Sequence, residues 1–292
     1  MIGSHVKFSF SSNGFVRHSV FEAIEKIAQI GYEGIELLAD EPHLYADELS
    51  KSDVEKVKSA IERSGLKVAN INANTAMGYY GRQFWEPLFE PSLANPDKIL
   101  RNWRIDYTKK CVDLADFLDA PFVSVTSGRP VPGISPGESM DLLVDSLEKL
   151  IEYSAKRSIG IGVEYEPGLL VECFDELSGL LEQIDSPYLG ANLDLGHSHV
   201  LGEDPRVVIN GLGPKIFHIH IEDISGRKHY HLVPGTGDID FRKILGILTE
   251  NAYNGFATVE LYTYPDRPEE VARQSLQYLR SVCRESGLDL AK

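Results

Sequence analysis

Strand-like and helix-like segments alternate from one end of this chain to the other, and that alternation restricts its possible folds more than any other feature. Val6–Ser11 reads as a first strand, and Val20–Ile30 as an amphipathic helix stopped by Gly31. Gly34–Leu38 is a second strand. The helix Val54–Ser64 follows, stopped by Gly65, with Ser52 or Asp53 as its expected cap. Lys67–Ala73 is a third strand. Beyond a long segment, Asn74–Pro96, come the helix Ile99–Leu118, the strand Phe122–Thr126 and the helix Met140–Arg157. The second half repeats the scheme with strands at Ile159–Glu166, Tyr188–Asp194, Ile216–Ile221 and Phe256–Leu261. Its helices fall at Phe174–Ile184, near Pro205–Asn210, at Phe241–Asn251 and at Glu269–Glu285. Such alternation implies parallel strands, and right-handed crossovers joining eight units close into a barrel. An open doubly wound sheet is the rival, but no glycine-rich dinucleotide turn follows the first strand. The sequence predicts one α/β domain over residues 1–292, a single (β/α)₈ TIM barrel, with a loop at about 74–96 over its mouth.

Bulk properties narrow the partners. The formal charge of −15 comes from 44 acidic against 29 basic residues, and no Lys/Arg run interrupts it. Such a surface repels phosphate backbones, so nucleic acid is not an expected partner. Cys111, Cys173 and Cys283 are widely spaced and form no Cys-x-x-Cys pair, which suggests neither a disulfide framework nor a thiolate zinc site. Met1 to Phe10 lacks a basic region followed by an apolar core, and no apolar run approaches the ~20 residues that span a bilayer. The expected location is the cytoplasm, without membrane attachment. A homo-oligomer stays open.

In a barrel of this kind, catalytic groups sit at the carboxyl ends of the strands. Ionisable residues closing otherwise apolar strands are Glu36, Glu166, Asp194, His220 and Glu260. Four of them fall on consecutive strands, five to eight. Neighbouring strands lie just under ~5 Å apart, so groups at matching heights can converge on one ion. Three carboxylates converging without a cation would resist ionisation, and a divalent metal resolves the conflict. The set Glu166, Asp194, His220 and Glu260 is oxygen-rich, which favours Mn²⁺ or Mg²⁺, with Co²⁺ or Zn²⁺ compatible. Glu36 either binds substrate or braces the barrel mouth. Glu164 shares a face with Glu166 but lies deeper, so a hydrogen-bonding role is expected; His218 stands to His220 in the same way.

Five motifs in order carry a resemblance. Gly160-Ile-Gly-Val-Glu-Tyr-Glu-Pro, Asn192-Leu-Asp-Leu-Gly-His, His218-Ile-His-Ile-Glu-Asp, Pro234-Gly-Thr-Gly-Asp-Ile-Asp-Phe and Thr258-Val-Glu resemble the xylose isomerase-like superfamily. The branch most like this chain is the sugar phosphate isomerase/epimerase group, which includes D-tagatose 3-epimerase and inosose-processing enzymes. The resemblance implies a metal site at Glu166, Asp194, His220 and Glu260, with Glu166 and Glu260 as the acid/base pair. It further implies substrate contacts from His197 and Glu172. Arg227 maps to a substrate-binding arginine only with a one-residue offset.

The chemistry implied is metal-dependent isomerisation or epimerisation of a sugar, ketose or cyclitol through an enediolate. The cation acts as Lewis acid and the glutamates move the proton. Dehydration by a lyase acting on an inosose- or dehydroshikimate-like substrate uses the same machinery. An apurinic endonuclease-type phosphodiesterase is a further rival, but it implies three metals, histidines on strands three and four, and an Asp-x-His after strand seven. Those strands offer Asn70, Asn72, Ser124 and Thr126, and the later pair reads His229-Tyr-His231. Met77, Tyr79, Tyr80, Phe84, Trp85 and Phe89 crowd the long loop, where they either cover a sugar or pack a dimer interface. Arg129 and Arg227 belong to no phosphate-binding cluster of glycines and basic residues, so a non-phosphorylated carbohydrate or polyol is the expected substrate.

Overall fold

The computed structural model describes residues 6–81 and 88–288. Eight parallel strands form a closed barrel: β1 (Lys7–Ser11), β2 (Gly34–Leu38), β3 (Lys67–Asn72), β4 (Phe122–Thr126), β5 (Gly160–Glu164), β6 (Leu189–Asp194), β7 (Ile216–Ile221) and β8 (Phe256–Val259). Each pairs with its chain neighbours, and β1 closes the ring on β8 through Ser9 opposite Thr258. The helices are α1 (Val20–Ile30), α2 (Lys51–Ser64), α3 (Lys98–Phe117), α4 (Pro136–Ala155), α5 (Phe174–Ile184), α6 (Leu195–Leu201), α7 (Pro205–Leu212), α8 (Phe241–Glu250) and α9 (Pro268–Glu285). None of the described helices is long and apolar enough to cross a membrane.

Local sequence explains where most helices begin. Ser19 and Glu22 form a capping box on α1, and Gly31 ends it in the left-handed conformation at φ 101°. Ser135 and Glu138 cap α4 in the same way, with a proline in the first turn. That start lies four residues before the expected Met140. The cap of α2 is Ser50 rather than Ser52 or Asp53: its hydroxyl accepts the Asp53 N–H, and Asp53 reaches back to the Ser50 N–H. Two elements were not expected. The helix α6 springs directly from β6, and a hairpin of Asp223–Ser225 against Lys228–Leu232 follows β7.

The apolar core lies between barrel and helices, where Phe8, Phe10, Ile35, Leu37, Ile219, Leu245 and Leu279 are buried. Burial of each such side chain stabilises the fold by roughly 1.5–3 kcal/mol. The barrel's interior is built differently. Ser9, Glu36, Asn70, Asn72, Asn192, His218, His220 and Thr258 are all buried there. Burying polar groups is unfavourable unless they bond one another, and these do. Ser9 pairs with Thr258, Thr258 with His218 Nε2 at 2.8 Å, and Asn70 with both Glu36 and Ser124 at 2.8 and 2.9 Å. This network is the floor on which the site stands.

The expected loop starts on a rigid support. Buried Arg104 of α3 donates to the carbonyls of Ala73, Asn74 and Thr75. Asp40 accepts the N–H groups of Met77 and Gly78, each at 2.7 Å, and the Thr75 hydroxyl.

Candidate metal centre and active-site cavity

Strand register sets the height of each candidate. Asp194 lies opposite His220, and His220 opposite Thr258, so Glu260 stands one inward position higher on β8's continuation. One ligand-type atom each from Glu164, Asp194, His220 and Glu260 falls within 4.8 Å of the others. The member from β5 is Glu164, where the strand-end reading expected Glu166. The reason is where β5 stops. Tyr165 leaves the ladder, giving its carbonyl to His197 Nδ1 at 2.9 Å and its hydroxyl to Glu203 at 2.7 Å. The Glu166 N–H then bonds Val171 O at 3.3 Å, closing a loop around Pro167. Glu166 is thereby lifted above the cluster onto the cavity wall.

Each member is held by a partner outside the group. Glu164 Oε2 accepts Asn74 Nδ2 at 2.7 Å and Asn192 Nδ2. Glu260 Oε1 accepts Asn13 Nδ2 at 2.8 Å and Asn72 Nδ2 at 3.2 Å. Asp194 Oδ1 caps α6 through the His197 N–H at 2.8 Å, while its buried Oδ2 has no hydrogen-bond partner. His220 Nε2 bonds Glu36 Oε2 at 2.7 Å, which turns Nδ1 toward Glu164, Glu260 and Asp194 at 3.3, 3.6 and 3.9 Å. A ring proton shared with Glu36 leaves the lone pair on Nδ1, the tautomer a metal ligand needs. Glu36 therefore braces a candidate ligand from below. The carboxylate set, the available Nδ1 and the orphaned Oδ2 fit a divalent cation.

The electrostatics record the crowding of acids. Burial, with Glu164, Glu36 and Asp194 adding to it against His220, pushes the Glu260 carboxyl up to about 8. Burial, with Glu164 and Asp194 adding to it, lifts Glu166 to about 7 against the pull of His197. Burial works against the charge on His220, but Glu36 and Glu260 outweigh it and raise the imidazole well above its usual range. Glu222, fully buried beside Asp194, was not singled out in the sequence. Burial and then the charge of Asp194 push its carboxyl well above the usual carboxylate range.

Above the cluster opens a cavity of about 720 Å³, a size typical of small-molecule sites. Glu164, Glu166, His197 and Glu260 line it, with Met77, Phe89 and Tyr262 among its apolar surfaces. Tyr79 and Tyr80 are exposed instead, and Tyr79 packs on Trp103 at 4.5 Å. Phe84 and Trp85 lie outside the described residues. His197 reaches the cavity as expected for a substrate contact, but two other residues do not. Glu172 is exposed and accepts the Gly168 N–H at 3.0 Å within its own loop. Arg227 is exposed on the hairpin turn and donates to Leu201 O at 3.3 Å, at the carboxyl end of α6 where a cation is favoured. The hairpin that carries Arg227 outward brings His229 and His231 to the cavity instead. Their alternate spacing on a strand was the available signal.

Residues 24–282 match the family model described as Xylose isomerase-like TIM barrel. Fructoselysine 3-epimerase of Shigella flexneri is 24% identical over 277 residues, which are 93% of this chain and 96% of that protein. Inosose dehydratase of Geobacillus thermodenitrificans is 28% identical over 165 residues, 50% of this chain and 55% of that protein. The crystal structure of the IOLI protein with a binding zinc atom has a TM-score of 0.80 at 20% identity. It covers 96% of this chain and 99% of that one, a likeness of fold.

Proposed function

This chain belongs to the xylose isomerase-like TIM barrel family, and we propose that it is a divalent-metal-dependent epimerase or isomerase of a sugar, ketose or cyclitol. The observation that carries the reading is the convergence of Glu164, Asp194, His220 and Glu260 from four consecutive strands beneath one cavity. These four would hold the ion, and their oxygen-rich set suits Mn²⁺ or Mg²⁺, with Co²⁺ or Zn²⁺ compatible. When bound, such an ion polarises a carbonyl and its neighbouring hydroxyl and lowers the energy of the enediolate left when a carbon-bound proton departs.

The chain's own groups supply the rest. Glu164 and Glu260 each have one oxygen anchored by two amide donors, which fixes the carboxylate plane and leaves the other oxygen for proton transfer. One takes the proton and the other returns it, so Glu164 replaces Glu166 in the acid/base pair expected from sequence. Glu166 serves a substrate hydroxyl from the wall. Met77, Phe89 and Tyr262 cover the carbon face of the substrate and exclude water.

The test is solvent-deuterium incorporation into a panel of ketoses and inososes. The expected result is label at carbon beside the carbonyl without loss of water, abolished by Glu260→Gln. Label accompanied by loss of water would assign the dehydratase reading, which the inosose dehydratase relative supports. Absence of exchange across the panel would overturn both.

A further inference from the structure

We propose that Arg104 and Asp40 are positioning residues for Glu164, which clamp residues 73–78 between them and act on the Glu164 carboxylate through Asn74. Neither lines the cavity. Arg104 belongs to α3, and Asp40 lies just beyond β2. The need for a clamp follows from where β3 stops. The strand ends at Asn72, and beyond it the Ala73 N–H still reaches Ser124 O at 3.0 Å. The carbonyls that follow turn to a side chain instead. Arg104 Nη1 donates to Thr75 O at 2.8 Å, and Nη2 donates to Asn74 O at 3.0 Å and to Ala73 O. Buried carbonyls need such donors, and one guanidinium fork serves all three.

The other edge of the segment is held by the opposite charge. Asp40 accepts the Met77 and Gly78 N–H groups, each at 2.7 Å, and the Thr75 hydroxyl. Arg104 and Asp40 are each 1% exposed, and among the described residues no carboxylate pairs directly with Arg104. Its buried Nε has no partner either. A buried guanidinium without a touching counterion is unfavourable. Here both charges are met by one peptide segment, which turns its carbonyls to Arg104 and its N–H groups to Asp40. So costly a group is kept for what it holds.

Asn74 is the residue that the grip fixes. Its N–H donates to Asn72 Oδ1 at 3.1 Å, and its carbonyl is held by Arg104 and by the Thr126 hydroxyl at 3.2 Å. With the backbone pinned on both sides, the side-chain Nδ2 donates to Glu164 Oε2 at 2.7 Å. Asn72 does the same for Glu260 at 3.2 Å, but from within the strand. The donor to Glu260 is therefore placed by the sheet, and the donor to Glu164 by the clamp. Lysine at 104 would keep the charge and lose the planar fork that spans three carbonyls.

The test is Mn²⁺ affinity, measured by competition with a chelator, for the wild type, Arg104→Lys, Asn74→Ala and the double variant. The readout rests on the proposed place of Glu164 among the metal ligands, and circular dichroism verifies folding. Each single variant is expected to bind roughly 10-fold more weakly. The double variant should bind no more weakly than Asn74→Ala alone, because Arg104 acts through Asn74. Wild-type affinity in Arg104→Lys, or losses that multiply in the double variant, would overturn the inference. A clamp that served stability alone would lower the thermal midpoint and leave affinity unchanged. Should Arg104→Lys fail to fold, Asp40→Asn takes its place with the same outcomes, since it loosens the same segment from the other edge. A wild type that binds no divalent ion would remove the proposed metal centre, and the crystal structure of the same variant then decides. Asn74 Nδ2 still within hydrogen-bond distance of Glu164 Oε2 would overturn the positioning role, and loss of that contact would sustain it.

Discussion

Glu36 touches the candidate ligand His220 from the side opposite the cavity, and its two oxygens also accept Asn70 and Asn72. Its part is to fix the imidazole's tautomer and angle. Glu36→Gln should therefore weaken metal binding by roughly 10- to 100-fold, measured by competition with a chelator; unchanged affinity would remove Glu36 from this role. Protons compete for the same groups. Glu260, pushed up to about 8, and His220, raised above its usual range, both hold a proton more tightly than usual in the ion-free chain. Metal needs the bare carboxylate and the bare Nδ1, so binding should release protons and tighten as pH rises toward about 8. Calorimetry in buffers of different ionisation heat counts those protons. The contribution of Glu260 to the stability of the ion-free fold has the opposite trend. Its folded pKa lies above the ordinary 4.5 of a glutamate, so this group holds more protons in the folded chain than in the unfolded one between these values. That contribution falls as pH rises through the window. Burial shifts His43, His218, His229 and His231 the other way, so the Glu260 share is read as the difference in thermal midpoint between wild type and Glu260→Gln; a difference that does not change with pH there would contradict the assignment. At this scale only the parity of each residue was legible beforehand: Glu164 and Glu166 share a face, and only the end of β5 separates cluster from wall.

Among the elements, α6 joins fold to site most closely. Its first turn is capped by Asp194, and Gly196 lies so near Glu222 that an added Cβ would overlap Oε1. Because Glu222 is fully buried, its carboxyl has no open space to enter. Gly196→Ala should cost on the order of 1–3 kcal/mol in denaturant unfolding, and should weaken metal binding through displacement of Asp194. The start of α2 offers a cleaner comparison. Ser50→Ala should destabilise by about 1 kcal/mol, whereas Ser52→Ala, lacking the cap contact, should change little in the same measurement. Capping boxes were written in the sequence at Ser19, Ser50 and Ser135, since each is a serine followed three residues later by an acid. The hairpin after β7 was not legible. Lys228–Leu232 is polar and short, and both strands of the hairpin pack on α6.

For the molecule as a whole, the proposed metal would bind the folded barrel and not the unfolded chain, whose candidate ligands lie up to 96 residues apart between Glu164 and Glu260. Chelation should lower the thermal midpoint. Free metal at a thousand times its dissociation constant contributes about 4 kcal/mol, so equal midpoints with and without chelator would speak against a tightly held ion. The barrel itself was determined by local pattern. Period-two strands, period-3.6 helices and glycine stops are properties of neighbouring residues, and eight such units in alternation have few ways to bury their apolar faces. That acids and a histidine gather at one end of four consecutive strands was equally local, because it needs only the strand direction. Which of them meet was decided by the tertiary structure. Alternation gives the face on which a side chain lies, but its height comes from stagger between strands and from the residue at which each strand leaves the ladder. Those quantities placed Glu164 with Asp194, His220 and Glu260, raised Glu166 to the wall, carried Arg227 away and brought His229 and His231 in beside His197.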